Sequence, residues 1–197
     1  MSDWQALDLE LGKWRAAGRT AELWWRDDDA ANTSPELDRL LALHRETAVP
    51  LALERLFGNR PLGVMVPPCN RIAPALVPTL PEIGFTGLST FGARPRAQPV
   101  RGLRQINTHV DLVDWKSGGG FTGEEACLAI LVASLARARR ESGEPVGILS
   151  HHLAMDDGAW DFLRSFWERT KAMSDLRVRS AHQLFAAGSS KEGEARV

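Results

Sequence analysis

The stretch that decides the fold runs from residue 21 to residue 53 and reads AELWWRDDDAANTSPELDRLLALHRETAVPLAL. Its first part, 21–26, favours a strand and stops at three consecutive aspartates. Pro35 follows a run of residues that cap helices, and 37–47 is amphipathic. The apolar run 49–53 then predicts a second buried strand. The stretch therefore predicts a strand–helix–strand unit with an acidic loop after its first strand.

The same alternation continues along most of the chain. Further strands are predicted at 64–66, 84–90, 110–115, 146–150 and 176–180, and further helices at 4–17, 122–140, 157–171 and 181–186. Residues 73–82 predict a helical stretch that is broken by proline. Residues 92–103 are rich in Pro, Gly and Arg and predict a surface loop, and 188–197 predicts a disordered polar tail. We expect one α/β domain over 1–187, either a mostly parallel sheet or a barrel, with function at the carboxyl ends of the strands.

Composition and charge argue against several classes of protein, including nucleic-acid-binding, disulfide-rich and membrane-spanning proteins. The 197 residues carry 24 basic and 25 acidic side chains, and this balance gives no long-range field to attract nucleic acid or an anionic membrane. Cys69 and Cys127 are too few for a disulfide framework, which favours a reducing compartment. The chain has neither a signal-peptide pattern nor an apolar run of membrane-spanning length. We expect a cytoplasmic protein.

Polar clusters follow three of the apolar runs. They are 27–29 (DDD), 67–71 (PPCNR) and 151–152 (HH). The carboxyl ends of parallel strands share one edge, so these distant clusters are expected to meet there. Asp29 or Asn32 could instead cap the following helix, but three adjacent carboxylates repel one another unless a cation or a shared proton relieves them. Of two adjacent histidines on an extended segment, only one faces such a site.

The aromatic composition also indicates a ligand. The chain has 7 Trp, 7 Phe and no Tyr. Tryptophan needs a packing partner or a flat ligand, and the face of a sugar ring is one such ligand. Most of the tryptophans singled out are expected to pack in the core or at its rim, namely Trp24, Trp25, Trp160 and Trp167. Trp115 follows Asp114 at a predicted strand end and is the best candidate to face a ligand.

The order of the motifs resembles the polysaccharide deacetylase family. The motifs are WRDDD (25–29), VPPCNR (66–71), DW (114–115) and ILSHH (148–152). They are more closely similar to a bacterial deacetylase-like branch that opens with WWRDDD and ends a late strand with a His-His pair. The likeness covers about 23–185 and implies a distorted or incomplete (β/α) barrel.

The resemblance also implies roles for individual residues. Asp27 falls on the family's general base, Asp28 on its metal-binding acid and His151 on its late catalytic histidine. Asn70, Arg71, Asp114 and Trp115 would line the substrate site, with Asp29, His109 and His152 as further candidates. The implied cofactor is zinc or another divalent ion, and the implied reaction is hydrolysis of an acetyl group on a carbohydrate.

One departure from the family is large. Its His-x-x-x-His metal motif is missing, because no such pair stands anywhere in the chain. Only 54–63 joins the second and third predicted strands, which is too short for a strand–helix–strand repeat. His109 is a spare imidazole that could approach the site, but it cannot replace two ligands.

Three functions are therefore consistent with the sequence. The first is a metal-dependent hydrolase that removes N- or O-acetyl groups from a carbohydrate. The second is a non-catalytic carbohydrate-binding or interaction protein on a degenerate deacetylase scaffold. The third is a phosphatase-like enzyme that uses Asp27 as nucleophile with Asp29 nearby. A sheet left open by the short connection would expose an edge and favour a homodimer.

Overall fold

A computed structural model describes residues 3–30, 32–53 and 62–186. The helices in these ranges are α1 (Asp3–Ala16), α2 (Pro35–Thr47), α3 (Glu124–Arg137), α4 (Asp157–Lys171) and α5 (Ala181–Ala186). The strands are β1 (Ala21–Asp27), β2 (Leu51–Leu53), β3 (Val64–Met65), β4 (Gly87–Leu88), β5 (Arg104–Gln105), β6 (Thr108–Asp111), β7 (Val146–Ser150) and β8 (Leu176–Val178). The predicted tail 188–197 lies outside the described residues.

The larger of two parallel sheets is built around β1. On one side β1 pairs with β7, which pairs in turn with β6. On its other side β1 pairs with β8 along its first half and with β2 along its second half. The register sets Asp27 opposite Ser150, so β1 and β7 end level with each other. The chain segments that follow these two strands therefore emerge side by side.

The second sheet has the order β3, β4, β5 and is also parallel. The chain passes directly from β5 into β6, and its backbone continues to bond along the β4 segment. Ile106 N donates to Leu88 O at 3.0 Å, and Thr108 N donates to Thr90 O at 3.1 Å. These bonds join the two sheets side by side. The fold is thus α/β with parallel strands, as the sequence predicts.

Strand β1 is buried on both faces, as expected for a central parallel strand. Its successive side chains alternate between two apolar clusters. Trp25 packs in the main core, which is formed with α1, α2, α3 and α4. Trp24 packs on the other face with Ile106, Leu184 and Phe185, the last two from α5. Two adjacent tryptophans thereby stabilise both sides of the sheet.

Several sequence predictions are confirmed closely. The strand predicted at 146–150 and the helices predicted at 157–171 and 181–186 have the predicted bounds. Helix α2 begins where the capping residues predict, since Ser34 Oγ accepts a hydrogen bond from Leu37 N at 3.0 Å. The four tryptophans expected to pack inside the protein are buried, namely Trp24, Trp25, Trp160 and Trp167.

The Pro-broken helical stretch predicted at 73–82 forms two short 3-10 helices, Pro74–Thr79 and Pro81–Ile83. Its prolines lack the N–H groups that a continuous α-helix needs.

The strand predicted at 110–115 differs in the structure and runs over Thr108–Asp111. The Asp114 side chain accepts hydrogen bonds from the backbone of residues 116 and 117, which turns the chain away from the sheet.

None of the helices within the described ranges is both long enough and apolar enough to span a membrane.

Gly147 in β7 is packed so tightly that a larger side chain there is expected to destabilise the fold. A Cβ there would lie 2.6 Å from Trp24 Nε1, 2.7 Å from Thr108 Cα and 2.8 Å from Asn107 O. Because two of these neighbours are backbone atoms, Gly147→Ala is expected to lower the free energy of unfolding by about 1–3 kcal/mol or more. Urea denaturation measures the change.

The matched control is Gly12→Ala in α1, where a Cβ meets nothing within 4 Å. That change is expected to raise the free energy of unfolding by roughly 0.5–1 kcal/mol, since alanine favours the helix interior. Equal urea midpoints for the two variants would contradict the packing described around Gly147.

Candidate functional site

The three polar clusters predicted from the sequence meet at the carboxyl edge of the sheets. The aspartates 27–29 end and follow β1, and the histidines 151–152 follow β7. Asn70 arrives from the loop after β3. Each of the three aspartates bonds to a different cationic or polar partner, so the cluster divides into three environments.

Asp27 is fully buried between the ends of β1 and β7. Its Oδ2 accepts hydrogen bonds from Ser150 Oγ at 2.8 Å and from His152 N at 3.1 Å. Its Oδ1 accepts from Asp29 N at 3.1 Å and lies 2.6 Å from His152 Nδ1. Four donors therefore surround a carboxylate that has no exposed surface.

His152 is buried beside Asp27. Burial opposes its charged form, but the hydrogen bond and the charge of Asp27 outweigh this effect and raise the pKa of His152. Its other ring nitrogen, Nε2, is buried and has no hydrogen-bond partner among the described residues. The side chain thus faces inward and joins β7 to β1 through Asp27.

Asp28 is paired with Arg26, whose side chain is only 2% exposed. Arg26 Nε lies 2.7 Å from Asp28 Oδ1, and Nη2 donates to Asp28 Oδ2 at 3.0 Å. Asn70 Nδ2 also donates to Asp28 Oδ2 at 3.0 Å, and Asn70 Oδ1 accepts from Arg26. Arg26 Nη1 donates to Ser89 Oγ at 2.6 Å. A buried guanidinium therefore neutralises this carboxylate.

The loop after β3 has an unusual backbone. Cys69 and Asn70 have φ angles of 52° and 56°, in the left-handed region that non-glycine residues rarely adopt. The Asn70 side chain turns inward to Arg26 and Asp28, whereas Arg71 is exposed. Cys69 is exposed as well. The strained turn therefore brings one of the loop's polar side chains to Asp28.

His151 lies between two carboxylates. Its Nδ1 is 3.5 Å from Asp29 Oδ1, and its Nε2 is 3.6 Å from Asp111 Oδ2. Burial opposes the charged ring, but the nearby carboxylates of Asp111 and Asp29 outweigh this effect and raise the pKa of His151 to about 10. Burial also disfavours charged Asp29, yet His151 holds the pKa of this carboxyl below its ordinary value. At neutral pH the three groups form an imidazolium between two carboxylates.

Trp115 covers this ion cluster and remains 56% exposed. Its ring meets the His151 ring edge to face, with centroids 5.0 Å apart and an interplanar angle of 88°. Its Nε1 donates to Asp111 Oδ2 at 3.1 Å. Asp114 shapes the turn that carries it, because its Oδ1 accepts from Lys116 N and Ser117 N. The Ser117 side chain, followed by the backbone N–H groups of Ser117 and Lys116, lowers the pKa of Asp114.

His109 is not brought to this edge. It stands within β6, where its Nδ1 accepts from Gly147 N at 3.1 Å and its Nε2 lies 3.5 Å from Glu144 Oε2. Glu144 precedes β7, so these partners belong to the amino end of that strand. The expectation that His109 could approach the other candidates is therefore wrong, because His109 lies two residues before Asp111 and beside the start of β7.

Three participants were not among the predicted residues: Arg26, Ser150 and Asp111. Asp111 is the last residue of β6 and follows three buried residues. Arg26 is a charged residue within a buried strand. A charged residue inside or at the end of an apolar strand is costly to bury without a partner. The positions of Arg26 and Asp111 in the sequence could therefore have indicated that each has a charged or polar partner.

The donors do not fit the divalent ion that the family resemblance implies. Within residues 3–30, 32–53 and 62–186, no three or more His, Cys, Asp or Glu side chains are grouped so as to hold a metal. Asp28 Oδ2 accepts hydrogen bonds from Arg26 and Asn70, and Asp28 Oδ1 lies 2.7 Å from the Arg26 guanidinium. A divalent ion at Asp28 would therefore have to displace a buried cation.

Comparison with family models, with curated proteins and with solved structures gave no match for this chain. The resemblance to polysaccharide deacetylases therefore depends on the strand-end motifs.

The raised pKa of His151 predicts how stability depends on pH. The ordinary value of 6.5 applies to the unfolded chain, and the folded value is about 10. The stabilising effect is complete below the unfolded value and is lost as pH rises toward the folded value. His151 should lower the free energy of unfolding by up to about 1.4 kcal/mol per pH unit between about pH 7 and about pH 8.5, and His152, whose pKa is also raised, adds to this fall.

Urea denaturation across this range checks the slope, and His151→Gln should make it shallower. The range stops short of the ionisation of the Cys127 thiol in the unfolded chain, because burial raises the folded pKa of that thiol to about 12. A His151 ring that titrates near its ordinary pKa in an NMR pH series would refute this assignment.

Proposed function

We propose that this protein binds carbohydrate on the surface around Trp115 and that it does so without catalysis, on a degenerate scaffold of the deacetylase type. The observation that carries the proposal is the exposed Trp115 ring, held in place beside two partly exposed carboxylates, Asp29 and Asp111. The fold that we infer for it is an incomplete (β/α) barrel.

The orientation of Trp115 supports ligand binding. An indole left exposed loses roughly 25 cal/mol of stabilising free energy for each Å² that it could have buried. Trp24, Trp25, Trp160 and Trp167 are buried and do not carry this cost. The ring is fixed before any ligand arrives, since Asp111 holds its Nε1 and His151 packs against its face or edge. A fixed ring loses little entropy when a flat sugar face stacks on it. The neighbouring carboxylate oxygens can accept hydrogen bonds from sugar hydroxyls.

The environments of the first two aspartates support binding over hydrolysis. The general base implied by the resemblance is Asp27, but four donors enclose it and it has no exposed surface. The implied metal ligand is Asp28, which is paired with Arg26. In this geometry neither carboxylate can take a proton from a water molecule at the exposed surface.

The junction between the sheets supports the incomplete barrel. The second sheet extends the first through the backbone bonds at Ile106 and Thr108. The cluster around Trp24 collects side chains from separate strands, including Ala52 and Val64, together with α5. A curved sheet that wraps around one interior, with α5 at one end, accounts for these contacts.

A second candidate function is hydrolysis of a carbohydrate acetyl group, and His151 favours it. With a pKa raised to about 10, this ring keeps its proton at neutral pH and can act as a general acid. Water would add to the acetyl carbonyl carbon and lose a proton to the Asp29 carboxylate, the bond to the sugar nitrogen or oxygen would break, and the His151 proton would go to the leaving atom. Asp29 would then return its proton to His151. The reaction would release acetate.

The binding proposal predicts that Trp115→Ala weakens affinity for a bound oligosaccharide. We would titrate the protein with oligomers of N-acetylglucosamine, of glucosamine and of acetylated xylose, and follow binding by calorimetry. Loss of the stacking ring should weaken binding at least about tenfold, equivalent to about 1.4 kcal/mol.

Phe91→Ala is the matched control. Phe91 is also an exposed aromatic residue, at 47%, but it pairs with Thr108 toward the amino end of the neighbouring strand. This variant should bind as the unchanged protein does. If none of the three oligomer series binds, or if both variants bind equally well, the carbohydrate proposal is wrong.

The hydrolysis candidate has its own assay. Incubation of the protein with acetylated oligomers should give no acetate above the level without protein if the chain only binds. If acetate is released and His151→Gln reduces the rate by about 100-fold or more, the general-acid role is supported instead.

A further inference from the structure

Arg26 carries a permanent positive charge in the interior, at the position where the motifs imply a metal ion. Its side chain is 2% exposed and contacts residues that follow three different strands. We propose that the Arg26 guanidinium replaces a metal ion as the cation of this site, so that the carboxyl edge assembles without any divalent ion.

Arg26 and Asp28 fit each other as a charged pair. Arg26 Nη2 donates to Asp28 Oδ2 at 3.0 Å, and Arg26 Nε lies 2.7 Å from Asp28 Oδ1 without forming a hydrogen bond. The guanidinium and the carboxylate therefore face each other at ion-pair distance. Asn70 donates to Asp28 Oδ2 and accepts from Arg26. Asp28 Oδ2 thus already accepts two hydrogen bonds, and a permanent cation lies beside Oδ1.

The Arg26 guanidinium joins chain segments that follow three separate strands. Asp28 follows β1, Asn70 lies in the loop after β3, and Ser89 follows β4. A bound metal ion would draw together ligands from separate strand ends in the same way. Arg26 does this with donors that are part of the chain, and it links the larger sheet to the smaller one.

The positive charge of Arg26 also opposes the binding of a metal ion at Asp28. A divalent ion at Asp28 would lie next to a buried guanidinium that cannot lose its proton. The two cations would repel each other in a region of low dielectric constant. Arg26 therefore excludes a metal as well as replacing it. Arg26 is a positioning residue in this role, since it acts through Asp28 and Asn70.

The test combines stability with direct metal binding and uses the full chain. Asp28→Asn removes the charge that compensates Arg26, and it should lower the melting temperature by roughly 6–20 °C because a buried guanidinium is left unpaired. Asp157→Asn is the control, since Asp157 is exposed and pairs with Arg39 at the surface. That variant should melt within about 2 °C of the unchanged protein.

If Asp28 were a metal ligand, its substitution would have a different effect on the melting temperature of the metal-free protein. Without metal, neutralising such an acid leaves the melting temperature unchanged or raises it, because repulsion within the acidic cluster is relieved. Native mass spectrometry and melting curves with Zn²⁺, Mn²⁺ or Co²⁺, before and after EDTA treatment, complete the comparison. We expect no one-to-one ion and no shift in melting temperature.

The double variant Arg26→Met/Asp28→Leu keeps the test decisive if Asp28→Asn does not fold. Removing both charges together should restore most of the melting temperature lost in Asp28→Asn, since neither partner is left unpaired. Arg26→Lys keeps the charge but not the fork, so it should melt between the unchanged protein and Asp28→Asn and still bind no ion.

Saturable binding of one zinc ion that Asp28→Asn abolishes would overturn the inference, as would an unchanged melting temperature in Asp28→Asn. Carbohydrate plays no part in these measurements, so their outcome is separate from that of the Trp115 titration.

Discussion

The structure depends on the buried carboxylate of Asp27. It accepts hydrogen bonds from Ser150 and from the backbone of His152, and so fixes the ends of β1 and β7 level with each other. Because His152 turns inward to Asp27, the preceding residue, His151, points the other way, toward Trp115. An enclosed carboxylate without these donors would be costly to bury. The exposed part of the site is therefore a consequence of the buried part.

Three adjacent aspartates are tolerated because each has its own positive or polar partner. Asp27 lies against His152, Asp28 against Arg26, and Asp29 against His151. The repulsion expected between neighbouring carboxylates is thus relieved by side chains of the protein itself. This distribution also separates their roles. Asp27 and Asp28 hold strand ends together, and Asp29 remains at the surface beside the group formed by His151, Asp111 and Trp115.

The sequence predicted most of the elements, because their signals are local. The helix at 157–171 has an amphipathic period, and the strand at 146–150 is an apolar run that ends at Ser150. Prolines break the helical stretch at 73–82 into two short 3-10 helices, as the sequence predicts. The prediction at 110–115 failed because a side chain competes with backbone pairing: the Asp114 carboxylate turns the chain out of the strand. His109 lies two residues before the end of β6, beside the start of β7, and therefore joins Glu144 and Gly147 rather than His151.

The sequence alone determined the order of most strands and helices and the acidic, proline-rich and histidine clusters at strand ends. It also indicated Trp115 as the best candidate to face a ligand. These follow from periodicity and from the side chain's own chemistry. Only the tertiary structure decided that Arg26 compensates Asp28, that Asp111 shares His151 with Asp29, and that Asp27 is enclosed. These pairings depend on the register between strands distant in sequence, and a shift of one residue would turn each side chain to the opposite face.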